Sequence, residues 1–324
     1  MEKFTNNKVK GRKNSMTIRE GLEELWKNKF LYLMMVPAIV WIIIFCYVPM
    51  YGILIAFKKF NYKSGILGSP WADYYGFGNF RFLFNYKGIN QIFFNTIFLN
   101  VLFILFTTIT SVMLAIMFVE IKNKYFKKIT QSIAILPHFV SWAVVSMFLS
   151  AFIGINNGWI TNLVQNITGE RIAFYSSPQF WPAILVILRI WQGAGYGTIV
   201  YIAAITGFDP GMYEAAKVDG ATRFQQIRHI TLPLLKTTII LLTIMSVGGI
   251  FRGDFGMIYA LVGDNSRLYP TVDVIDTFVY RALRQLGNLG MSTATSFFQS
   301  VVGFIMVYTT NAITRKVEPD SAIF

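Results

Sequence analysis

Long apolar runs alternate with short charged intervals along this chain. Crossing a hydrocarbon core takes about 20 apolar residues. Six runs reach that length: Leu31–Phe57, Phe93–Val119, Ile133–Ile153, Ala183–Ile205, Thr237–Val262 and Ala294–Ile313. The pattern predicts an all-α, polytopic membrane protein with six transmembrane helices. The first run is too long for a cleavable leader, and Cys46-Tyr47-Val48-Pro49 is no small-residue cleavage site. Residues 1–30 read as a basic cytosolic tail, in which Met16–Phe30 is expected to form an amphipathic helix on the inner membrane face. Residues 31–324 form the membrane domain, and no linker divides it.

Charge sets the orientation. With the N-terminus inside, the inner intervals are 1–30, 120–132, 206–236 and 314–324. Lys3, Lys8, Lys10, Arg12, Lys13, Arg19, Lys27 and Lys29 lie in the first, and Lys122, Lys124, Lys127, Lys128, Lys217, Arg223, Arg228, Arg315 and Lys316 in the others. The outer intervals hold fewer cations, so both termini are predicted to be cytosolic. Composition agrees: 54% of the 324 residues are hydrophobic and 14% charged. The net charge of +13 would suggest nucleic acid in a soluble protein; here basic loops facing anionic lipid account for it. The single cysteine, Cys46, is expected to be a buried, inert thiol. His138 and His229 are too far apart in sequence to suggest a metal site, and no paired catalytic constellation falls within the runs.

The interval 208–233 is predicted to be a compact knob. Asp209-Pro210 suits a helix start. Glu214 then falls near the first turn, where the helix dipole favours a carboxylate. Ala215 and Ala216 permit close approach, and Gly220 permits a sharp reversal. Phe224, Ile227 and Ile230 recur at helical spacing, and Pro233 is expected to end that helix. On the outer side, Trp71–Phe80 is aromatic and glycine-rich, and Trp159, Tyr175, Phe180 and Trp181 cluster before the fourth run. Two readings stand for these aromatics: an interfacial belt, or a docking rim for an extracellular partner.

The knob reads E-A-A, three residues, G, nine residues, I-x-L-P, from Glu214 to Pro233. It resembles the coupling loop of the membrane subunits of ABC importers. That resemblance implies that Glu214, Ala215, Ala216, Asp219, Gly220, Ile230, Leu232 and Pro233 couple the chain to a separate ATPase. Val36-Pro37-Ala38, Tyr47–Gly52 and Ile55–Asn61 resemble the first segment of permeases for complex carbohydrates. Leu268–Leu283 and Gly287–Met291 are similar to the same class, which includes alginate, pectin-fragment and aldouronate importers. The resemblance implies the type I importer permease fold in a bacterial cytoplasmic membrane. It also implies the role of the larger permease, paired with a second permease subunit, two ATPase subunits and a solute-binding protein. By the same resemblance the chain itself is expected to hold no cofactor, with ATP and Mg bound by the partner ATPase. No phosphate-binding loop motif is present, and Gly193–Gly197, inside an apolar run, is expected to serve close helix packing.

By the same resemblance, sugar contacts fall on the segments Trp191–Tyr196 and Phe251–Asp254. Helical spacing puts Gln192, Gly193 and Tyr196 on one face. Arg189, Arg252 and Asp254 are charges inside apolar runs, and Gly248, Gly249, Gly253 and Gly256 interrupt the fifth. Such charges cost about 2.5–3.5 kcal/mol on insertion scales and mark functional or water-lined sites. With Phe251, they form the candidate substrate pathway. A structural Arg252–Asp254 pair, or charges snorkelling to the outer surface, is the competing reading. The leading function is import of oligosaccharides, with an acidic, uronate-containing cargo suggested. An ABC permease for another solute and an ion-driven secondary transporter are the alternatives.

Overall fold

The computed structural model describes residues 26–85 and 88–317. The predicted interfacial helix Met16–Phe30 lies almost wholly outside them, as does the end of the 314–324 interval. The chain divides into two compact units, Met1–Leu54 and Ile55–Phe324. In the first, helix α1 (Lys29–Ile42) carries Pro37 and passes into a π turn, Ile43–Tyr47. None of their side chains is buried, and Cys46 is exposed. The expectation of a buried thiol is therefore corrected: an apolar helix in a bilayer needs no protein cover, because lipid supplies it.

The second unit contains α2 (Gly78–Asn85), α3 (Ile89–Glu120), α4 (Lys124–Ile135), α5 (Trp142–Ile153), α6 (Trp159–Thr168) and α7 (Trp181–Thr206). After these come α8 (Pro210–Val218), α9 (Arg223–Val247), α10 (Phe255–Val262), α11 (Ile275–Leu286) and α12 (Leu289–Val317). Among the described residues there is no sheet, only an isolated bridge between Lys58 and Trp71.

The long helices α3 and α7 run parallel and form the centre of the unit. At one end, Gln91 and Asn95 of α3, and Pro178 just before α7, all bond to the 269–273 loop. At the other, Glu120 and Thr206 border the same groove. Small side chains let the two helices meet: Ser111 Oγ donates to the Ala194 carbonyl (3.0 Å), and a Cβ on Gly197 would lie 2.8 Å from Ser111 Oγ. Close packing is thus the use of the Gly193–Gly197 stretch.

Two parallel helices need a return crossing, and α4 with α5 supplies it. The pair is bent by 97° around Pro137 and Ser141, so the third run is a broken span that starts at Lys124. Non-helical backbone at membrane depth must be satisfied by protein. Gln192 of α7, itself buried, donates to the Val140 carbonyl at the break (3.0 Å). Gly195 lies so close to the end of α4 that a Cβ would sit 1.8 Å from the Ala134 carbonyl oxygen.

The fifth run, expected over Thr237–Val262 with its glycines interrupting it, is broken there but begins elsewhere. Its helix starts earlier, at Arg223, ends at Val247, and resumes as α10 after an irregular stretch. Gly248, Gly249 and Gly253 weaken the helix there, and Asp254 caps the new one by accepting from Met257 N (3.0 Å). With the bent pair counted once, the described residues hold six segments long and apolar enough to cross a membrane. Apolar packing is continuous toward the 269–273 end, where Val145, Leu149, Trp181, Leu185, Met257 and Leu268 meet. A second cluster near the opposite end joins Val112, Ala115, Tyr201, Ile205 and Leu235.

Candidate functional site

The knob at the end of α7 is assembled from local signals. Asp209 accepts from Gly211 N (2.9 Å) and caps α8, and Pro210 occupies its first position. Glu214 falls in the second turn rather than the first; the capping carboxylate that answers the helix dipole is Asp209. The helix stops because Gly220 takes φ +80°, with Ala221 N donating back to the Ala216 carbonyl (2.9 Å). Thr222 then starts α9 through a capping box with Gln225, a Thr-x-x-Gln signal legible in the sequence. Pro233 does not end the helix. It follows a π turn, Ile227–Thr231, where an extra residue in the turn frees the backbone from needing the N–H that proline lacks.

The knob is tied to the bundle at few points. Arg223 reaches the exposed end of α3 at Glu120 (3.8 Å), while within the knob Tyr213 OH lies 3.1 Å from Thr231 Oγ1. Between knob and bundle lies a groove of about 460 Å³ lined by Glu120, Phe208, Tyr213, Glu214 and Arg223. On the far side a recess of about 350 Å³ is lined by Ala216, Asp219, Gly220, Gln225 and Ile230. Met212, Val218 and Phe224 project their apolar side chains from this otherwise polar loop, exposed.

The pathway candidates fall into two groups on one frame. The α7 stripe Arg189, Gln192, Gly193 and Tyr196 holds both broken spans. Arg189 Nη1 bonds Asp254 Oδ2 (2.7 Å), at the restart of the fifth span. Gln192 holds Val140, and Tyr196 stacks on His138 beside the third-span break, with centroids 4.2 Å apart and planes 9° from parallel. Gly193 faces Thr107. The structure corrects the Arg252–Asp254 pair: Asp254 is engaged by Arg189, while Arg252 turns to α12 and lies 3.4 Å from Ser300 Oγ, exposed. Phe251 packs the other way, against Phe93, which also meets Phe298.

Three polar side chains to which the sequence assigned no role hold the break in the fifth span. Asn100 of α3 donates to the carbonyls of Ile250 and Arg252, both at 3.1 Å. Gln299 of α12 donates to the Phe251 carbonyl (2.8 Å) and to Asp276 (3.0 Å). Asp276 accepts from Gly253 N. Burial pushes the Asp276 carboxyl above its ordinary value, against these donors and the nearby Arg252 charge. The signal was available: Asn100 and Gln299 are polar residues inside apolar runs. Among the described residues no cluster of metal-ligating side chains occurs.

Residues 107–319 match the family model described as the binding-protein-dependent transport system inner membrane component. The chain is 36% identical over 295 residues to the polygalacturonan/rhamnogalacturonan transport system permease protein YteP of Bacillus subtilis, covering 91% of this chain and 90% of that one. It superposes with a TM-score of 0.82 and 34% identity on a chain of a bacterial ABC transporter involved in the import of the acidic polysaccharide alginate, covering 92% and 99%. A second alginate ABC transporter structure, in complex with an alginate pentasaccharide-bound periplasmic protein, matches with a TM-score of 0.80 and 34% identity over 91% and 97%.

Proposed function

The chain belongs to the family of inner membrane components of binding-protein-dependent transport systems, and from that premise we propose that it is the larger permease of an importer for acidic oligosaccharides. It is a transport subunit, and the chemistry of ATP hydrolysis belongs to a separate ATPase. A second permease completes the pathway, two ATPases bind ATP and Mg, and a solute-binding protein delivers cargo from outside. The bias of cations supports a cytosolic knob and cytosolic termini.

The observation that carries the reading is the knob itself. It is capped at both of its helices, reversed at Gly220, and leaves Met212, Val218 and Phe224 uncovered. A short rigid helix held at few points transmits a push without deforming. Closure of the ATPases on ATP moves the knob, the two permeases rock, and the pathway opens outward; hydrolysis reverses the motion. The α7 stripe ties the knob's own span to both interrupted spans through Arg189–Asp254 and Gln192–Val140, so movement of α7 reaches the break that carries Arg252. An exposed guanidinium at that break suits a carboxylate-bearing sugar; of the relatives above, one is named for polygalacturonan/rhamnogalacturonan transport and another imports the acidic polysaccharide alginate.

Cross-linking tests the coupling role. A cysteine at Val218, in a Cys46→Ser background, is expected to form a disulfide with an engineered cysteine in the ATPase cleft, more readily in one nucleotide state than another. An importer that transports normally while Val218→Cys never links to the ATPase would refute it.

A further inference from the structure

Resting on the importer reading above, we propose that the folded segment 58–81 is the docking surface for the solute-binding protein, and that the facing surface of that partner is acidic. The segment lies at the end of the bundle opposite the knob and is built as a unit. Asn79 Nδ2 donates to the carbonyls of Ala56 (2.9 Å) and Lys58 (3.0 Å), and Lys58 Nζ donates to the Leu67 carbonyl (2.9 Å). Phe57, Phe77 and Phe80 anchor it on Phe297 of α12. Its outward side is different. Tyr74 and Tyr75 are consecutive left-handed residues, φ +55° and +58°, and both rings are exposed, Tyr75 completely. The Arg81 guanidinium lies over the Tyr74 ring, 4.1 Å from its centre. The turn that Tyr74 and Tyr75 form is closed by Gly76 N and Gly78 N, which donate to the carbonyls of Ala72 and Asp73 (both 2.8 Å), so a backbone costly for bulky residues is held in place and turns both rings outward.

Charge identifies the occupant. Among the outer intervals, residues 154–177 balance Arg171 with Glu170, and residues 263–293 balance Arg267, Arg281 and Arg284 with Asp264, Asp273 and Asp276. Residues 58–92 hold Lys58, Lys59, Lys63, Arg81 and Lys87 against Asp73 alone. The outer face therefore concentrates its net positive charge on this one segment, on the side where membrane topology disfavours cations. Beside it a groove of about 680 Å³ runs between the segment and the Gly287–Gly290 turn, with Lys58 and Asn79 in its wall. Aromatic belts are single rings at helix ends; here the rings stand on a separately hydrogen-bonded platform with a cationic rim. Aromatic anchors ringed by charge are the make-up of a protein interface.

The test uses the complete importer complex in nanodiscs and its own purified solute-binding protein. Two variants are compared with the unmutated complex: Tyr74→Asn with Tyr75→Asn, since asparagine tolerates the left-handed backbone, and Lys63→Glu with Arg81→Glu. Each is expected to weaken binding-protein affinity by about tenfold or more, with the ATPases still co-purifying, and the charge pair is expected to flatten the salt dependence. A photo-cross-linking residue at Tyr75 is expected to capture the purified binding protein. Unchanged affinity in both variants, or cross-links to lipid alone, overturns the dock and leaves the importer reading standing. An unmutated complex that binds no solute-binding protein overturns both.

Discussion

Gly220 offers a graded test of the knob. Its φ of +80° is a left-handed conformation, and no atom lies within 4 Å of the position a Cβ would take. Substitution therefore meets a backbone penalty and no steric one within the chain. That penalty is about 1–2 kcal/mol for an ordinary L-residue, less for asparagine, and more for a β-branched one. At about 1.4 kcal/mol per factor of ten, Gly220→Ala should lower the population of the native turn by roughly tenfold relative to its alternatives. Gly220→Val should lower it further, and Gly220→Asn by much less. The knob touches the bundle at few points, so thermal stability of the membrane domain should hardly change. The assay is affinity for the purified ATPase together with ATP-driven transport, and the expected order of loss is Val, then Ala, then Asn. Full docking and transport by Gly220→Val would refute the argument. Equal loss in all three variants would show that space in the interface, rather than the turn, sets the requirement.

Other outcomes follow from the same geometry. Gly195→Ala should prevent normal packing of α4 on α7, since its Cβ would fall 1.8 Å from the Ala134 carbonyl, whereas Gly193→Ala, 3.6 Å from Thr107, should be tolerated; overpacking of this kind costs about 1–3 kcal/mol or more, and melting in detergent measures it. Arg252→Ala should impair uptake of an acidic oligosaccharide more than of a neutral one and leave ATPase docking intact; equal loss for both cargoes together with loss of the folded complex would make Arg252 structural. Gln299→Leu strips the Phe251 carbonyl and Asp276 of a donor and should lower stability by about 1–3 kcal/mol, seen as a lower melting temperature. In a Cys46→Ser background, cysteines at Lys128 and Arg223 should label only in permeabilised cells and one at Lys63 from outside; external labelling at Arg223 would overturn the orientation.

What the sequence made legible was local. The Asp209–Pro210 start and the Gly220 reversal each follow from one residue's own chemistry, and both are where they were expected. The apolar runs found the spans because bilayer thickness is a length requirement that any run can be measured against. Less could be read of the breaks. The Gly-rich fifth run announced an interruption, yet the donors that satisfy it, Asn100, Asp276 and Gln299, lie up to about 150 positions away along the chain. Asp254 stands two residues from Arg252, but its partner is Arg189, because the backbone break turns the two side chains apart. Pro233 misled for a related reason: a proline ends a helix only where no π turn absorbs the missing N–H. Exposure of Cys46 followed a different physics, since apolarity in a bilayer reports on lipid as much as on protein cover.

Transport by the purified complex, reconstituted into proteoliposomes, tests the central claim most directly. Uptake of a uronic oligosaccharide would be followed with and without ATP on the knob side and solute-binding protein on the other, and with an imposed proton or sodium gradient. The account predicts uptake that requires both ATP and the binding protein, is indifferent to the ion gradients, and is lost in Gly220→Val. Uptake driven by an ion gradient in the absence of ATP would contradict it.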